Sequence, residues 1–190
     1  HGAPHGRELA RDVEHDRSVD ADRPLVEVGA DERARETRHV DVEEELVALG
    51  GGASVEPGNV ALIGIRNLDE REKTLVGKSG VRAYTMSHID RRGIGPIIEE
   101  VLSAFAGTAG GIHLSLDLDG LDPDVAPGVG TPVRGGLSYR EAHLLCETIA
   151  ASGLLVGMDV AELNPTLDVR NHSAEVGTEL ILSALGQRIL

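Results

Sequence analysis

Aromatic side chains are nearly missing: one Phe, two Tyr and no Trp occur among 190 residues. A core must therefore be filled by Val, Ile, Leu and Ala, and an apolar content of 41% suffices for one domain. A single cysteine, Cys146, excludes an internal disulfide and a cysteine-rich zinc site. No apolar run approaches the length of a membrane span, and no basic stretch followed by an apolar one opens the chain. Positive charge is scarce too. Acidic residues number 32 against 18 basic ones, for a net charge of -14, and Lys73 and Lys78 are the only lysines. Such a field repels nucleic acid and anionic membranes and attracts cations, metals and guanidinium compounds among them. It also serves simply to keep a protein soluble. The expectation is a cytoplasmic protein with no nucleic-acid or membrane partner.

What is present falls into two unlike segments. In residues 1–45 close to half the side chains are charged, with alternating sign through Arg7, Glu8, Arg11, Asp12, Glu14, Asp16 and Arg17. Their apolar residues follow no helical or strand period, so the segment buries too little to offset the entropy of ordering it. It reads as disordered or aberrant, and only Leu25 to Val28 could form a short strand. Residues 46–190 carry the pattern of an α/β domain.

In that domain Asn59 to Ile65, Val81 to Thr85, Ile112 to Leu118 and Leu154 to Val160 read as strands. Helices are expected over Asp69 to Ser79, Ile94 to Phe105, Ser138 to Ala151 and about Ser173 to Leu185. The first has acid in its first turn, Lys78 in its last and Gly80 as a cap; the third opens on the capping-box pair Ser138 and Glu141. Alternation at βαβ spacing implies an open, mostly parallel sheet with helices on both faces. Asp119 to Gly136, rich in Gly, Pro and Asp, reads as a long loop.

Asp117 and Asp119 stand two apart at the end of a strand and point to one side, opposite Leu114, Leu116 and Leu118. Side by side in a partly buried crevice they repel, and need a cation or a shared proton. Strand carboxyl ends are where open α/β sheets place ligands. On the pair alone a hard divalent ion, Mg²⁺ or Mn²⁺, and a plain turn leading into Asp122-Pro123 both remain open.

The longer string His113 to Glu141 (HLSLDLDGLDPDVAPGVGTPVRGGLSYRE) is very similar to the signature of the arginase and ureohydrolase family. Further matches are Val60 to Glu72 (VALIGIRNLDERE), Tyr84 to Gly95 (YTMSHIDRRGIG) and Gly157 to Pro165 (GMDVAELNP), so the resemblance covers roughly 47–190. It implies an arginase-like three-layer fold, here truncated on its amino-terminal side, because the family's GGDH and DAHxD segments do not occur. It also implies that the counterparts of Asp117 and Asp119 ligate two Mn²⁺ ions whose bridging hydroxide attacks the guanidinium carbon of L-arginine, giving L-ornithine and urea. Glu162 matches the residue that pairs with the guanidinium, and Asp119's counterpart also hydrogen-bonds the nucleophile. Asp69 and Glu72 match the pair that reads the α-amino group, and their spacing equally suits helix capping. Thr131 matches a pocket residue. His1, in a His-Gly-Ala-Pro run resembling the family's HGxP, matches the proton-shuttling histidine.

The resemblance further implies a homotrimer or hexamer when complete, and it leaves agmatine or another guanidino compound as alternative substrates. Two aspartates and one histidine are too few to hold two Mn²⁺ ions, so the 190 residues alone are expected to be inactive. Elsewhere, His113 reads as a buried, hydrogen-bonded histidine, and His88, His143 and His172 as surface residues. Asp159 is expected to take a backbone or neighbouring-helix partner, Asn164-Pro165 to fix the turn presenting Glu162, and Cys146 to be inert in the core.

Overall fold

The structure is a computed structural model that describes residues 24–28, 55–108 and 110–187. Five strands form one parallel sheet: β1 (Leu25–Val28), β2 (Val60–Ile65), β3 (Arg82–Thr85), β4 (Ile112–Asp117) and β5 (Leu155–Ala161), in the order β3-β2-β1-β4-β5. The helices are α1 (Glu70–Ser79), α2 (Met86–Arg92), α3 (Ile94–Phe105), α4 (Tyr139–Ser152) and α5 (His172–Ala184). No described helix is long and apolar enough to cross a membrane.

The sheet's middle is β1, drawn from the charged first segment. Leu25 lies beside Val60 on one side and His113 on the other, and Val28 beside Ile63 and Leu116. The remainder of residues 1–45 lies outside the described residues, apart from Pro24, whose carbonyl accepts from the His113 N–H at 2.9 Å. Strand alternation sorts the side chains. Val26, Val28, Ala61, Ile63, Leu114 and Leu116 face one side and are buried. There they share a core with Ile89 of α2, Ile97, Ile98 and Val101 of α3, Leu145 and Ile149 of α4, and Val176 and Leu180 of α5. The opposite side, with Leu25, Glu27, Leu62, His113, Ser115 and Asp117, is only half-buried among the described residues. Helix α1 buries none of its side chains.

Local chemistry fixes the helix ends. Asp69 and Glu72 form a capping box on α1, and Gly80, at φ 87°, ends it in the left-handed conformation. Ser138 and Glu141 cap α4 in the same way. Helix α2 was not expected from sequence: with Ile89 as its only buried residue it has no readable period. The loop after β4 is closed by pairing of Leu121 with Leu137. A Cβ on Gly136 would meet the Leu121 carbonyl carbon at 2.5 Å, so only glycine lets the two backbones approach.

One histidine expectation is corrected. His143 is buried, not superficial: it packs on Tyr139 with ring centroids 4.3 Å apart, and its Nδ1 lies 2.8 Å from the Ser183 hydroxyl between α4 and α5. Burial holds its pKa below the usual value, because a charged imidazole there loses water. Cys146 is in the core as expected, and burial pushes its thiol up to about 12.

Candidate active site

Asp117 is the last residue of β4, and Asp119 sits in the 3₁₀ turn Leu118–Gly120 that follows. The turn is tied to the strand because Asp117 Oδ1 accepts from the Asp119 N–H at 2.9 Å. Asp119 is 1% exposed. Its Oδ2 accepts from the Thr131 hydroxyl at 2.7 Å, which brings the loop back onto the strand end. The Asp117 carboxyl is pushed up to about 8, first by burial and further by the negative charges of Asp119 and Glu162, against the lowering effect of the Asp119 N–H. Asp117 thus senses two other acids at the carboxyl edge of the sheet.

Glu162 follows β5 directly and holds a positive φ of 63°, a strained setting for a non-glycine residue. Its carboxylate lies against Gly130, where an added Cβ would come within 3.6 Å of Oε2. Two further contacts join these loops: Val129 pairs with Leu163, and the Asn164 N–H donates to the Gly128 carbonyl at 2.8 Å. Asn164 Oδ1 accepts from the Thr166 N–H at 3.1 Å, which forms the turn anticipated at Asn164-Pro165.

The other sequence candidates are placed as follows. Asp69 Oδ1 accepts from the N–H groups of Arg71 and Glu72 at 2.7 and 2.8 Å, and Glu72 Oε2 accepts from the Asp69 N–H at 2.6 Å. Both carboxylates are therefore engaged in capping α1. His1 lies outside the described residues. His113 is hydrogen-bonded as expected, although it is half-exposed rather than buried. The Asp159 expectation is corrected: its partners are on the neighbouring strand, His113 Nε2 at 2.7 Å and the Ser115 hydroxyl at 2.8 Å. Parallel register sets Ser115 opposite Asp159, so the pairing follows once β4 and β5 are known to be neighbours.

Oxygen donors such as those of Asp117 and Asp119 suit a hard divalent ion, and a cation would relieve the crowding that raises Asp117. No group of three or more His, Cys, Asp or Glu side chains converges as a metal site among the described residues. The pair fits a share of a coordination sphere rather than a whole one.

A parallel sheet with acids gathered at its strand carboxyl ends places the chain in the open α/β class, in which ligands sit at that edge. Comparison with known proteins narrows that class. The Arginase family model matches residues 29–186, so the chain belongs to the arginase family. It is 48% identical over 148 residues to an arginase of Bacillus subtilis (strain 168), covering 77% of this chain and 50% of that protein. Against an arginase of Bacillus caldovelox it is 44% identical over 146 residues, covering 76% and 49%. A crystal structure of arginase from Bacillus subtilis superposes with a TM-score of 0.74 at 48% identity, over 77% of this chain and 52% of that one. The chain spans about half the length of these relatives.

Proposed function

We propose that the whole protein hydrolyses L-arginine to L-ornithine and urea with the help of Mn²⁺. The observation that carries this reading is the convergence of Asp117 and Asp119 at the end of β4, with Asp117 raised to about 8 by burial and like charge. Identity of 48% to a bacterial arginase across this region supports it. Asp117 and Asp119 would hold the metal together with donors outside the described residues. When bound, the ions supply Lewis acidity and make water acidic enough to act as a nucleophile near neutral pH.

The chain's own residues then have separate tasks. Thr131, by donating to Asp119 Oδ2, would hold that carboxylate in place to serve the metal and the nucleophile. Glu162 offers two acceptor oxygens to the planar guanidinium, a bidentate match that orients the carbon for attack. Asp69 and Glu72, at the mouth of α1, add negative charge for the substrate's α-amino group while they cap the helix. His1 is assigned the proton delivered to the leaving amine. The substrate is then a small molecule carrying a guanidinium at one end and an α-amino acid at the other.

Urea release by the full-length gene product with Mn²⁺ tests the proposal. Arginine should be turned over well above agmatine. Asp117→Asn should lower the rate by more than about 100-fold, beyond the loss that changes around a metal's ligands produce. Undiminished turnover in that variant, or a preference for agmatine, refutes the assignment.

A further inference from the structure

Arg66 is the first residue past β2, at the same edge of the sheet as the acids. Its guanidinium addresses two backbone carbonyls. Nη2 donates to the Asp119 carbonyl, and both Nη2 and Nε donate to the Val133 carbonyl, at 2.7 and 3.0 Å. Thr131, two residues before Val133, donates its hydroxyl to Asp119 Oδ2 at 2.7 Å. The contacts close a ring: Arg66 to the Asp119 backbone, the Asp119 side chain to Thr131, and the Thr131–Val133 backbone to Arg66 again. Within it lies the turn at the strand end, which the Leu137 N–H also holds through the Gly120 carbonyl at 3.0 Å.

We propose that Arg66 is a positioning residue for the reaction proposed above, on which this inference rests. By holding both carbonyls it fixes the backbone of Asp119 and presents Thr131 at the height where its hydroxyl meets one carboxylate oxygen. A guanidinium suits this task because its N–H donors are fixed in one plane and reach two acceptors at once. An ammonium has no counterpart to Nε, which makes the second bond to Val133, and its flexible stem does not fix the nitrogen between the two carbonyls. The positive charge of Arg66 also reaches Asp122, whose carboxyl is held below its usual range chiefly by backbone N–H donors.

The test compares the wild-type full-length gene product with Arg66→Lys and Arg66→Gln. Both variants should melt within a few degrees of wild type and keep the wild-type KM for arginine. Mn²⁺ affinity, read by calorimetry with the metal alone, and kcat should each fall on the order of tenfold. The Lys variant should do no better than the Gln variant, because the fork and not the charge is what matters. Wild-type Mn²⁺ affinity and kcat in Arg66→Lys would overturn the inference. So would failure of both variants to fold, since Arg66 would then serve the fold alone. A wild-type protein that takes up no Mn²⁺ and releases no urea instead refutes the function proposed above, and Arg66's part in it.

Discussion

At the scale of single residues, Asp117 determines how the site responds to pH. Its carboxyl sits at about 8 in the folded protein and near 3.8 in an unfolded chain, so the fold favours the protonated form. The contribution to stability is full below pH 4 and is lost as pH rises through about 8. In metal-free protein the melting temperature should therefore decline across that window. Asp117→Asn, which stays neutral, should flatten the decline and raise Tm at pH 8 by a few degrees, as a gain of about 1 kcal/mol produces in a domain of this size. Melts at several pH values check this, and an identical slope in the two proteins rules it out. Uptake of the proposed metal would displace the same proton, which ties binding to pH in the opposite sense.

Among elements, α1 presents the question of whether Asp69 is a cap or a substrate contact. Asn caps a helix about as well as Asp but carries no charge. Asp69→Asn should leave Tm unchanged and raise KM for arginine several-fold, whereas Asp69→Ala should also cost about 1 kcal/mol of stability. If Asp69→Asn leaves KM untouched, capping is the whole role of that side chain. The elements also differ in how far the sequence discloses them. Helix α3 was legible from one apolar face, and its bounds agree with Ile94 to Phe105; α4 was legible from Ser138 and Glu141. Four strands fell within a residue or so of their observed ends because buried parallel strands are near-continuous apolar runs.

Other features were hidden for a physical reason. Leu25 to Val28 could be read as a strand but not as the middle of the sheet, since parallel neighbours are chosen by pairing between distant segments. The same holds at the site. Asp117 and Asp119 stand together in sequence, but Arg66 meets Asp119 from another strand, and Asp159 meets His113 and Ser115 only after β4 and β5 are side by side.

At the scale of the whole molecule, burial among the described residues is one-sided: α2 to α5 share a core with one face of the sheet, while the other is half-buried around Leu62 and His113. At the sheet's margin β5 runs for seven residues with no Pro or Lys to discourage pairing, and Val156 is 54% exposed there. The 190 residues expressed alone should therefore associate, visible as species heavier than a monomer in sedimentation. With two carboxylates as the donors that the described residues bring together, they should also release no urea from arginine when Mn²⁺ is added. A monomer with a sharp melt, or turnover abolished by Asp117→Asn, contradicts one expectation or the other.

One of the two four-residue strands has the widest reach. All backbone pairing between the β2–β3 leaf and the β4–β5 leaf passes through the four residues of β1. Those leaves carry Arg66 and Asp119 respectively, so a spine one turn of phrase long in sequence sets the registration between the guanidinium and the acids it steadies. A carboxylate at Val26, in Val26→Asp, should part the leaves and cost several kcal/mol for an unpaired buried charge, with amide exchange quickening on both sides at once. The proposed activity would then fall with no proposed substrate contact altered, because the two halves of the candidate site would no longer share a common ruler.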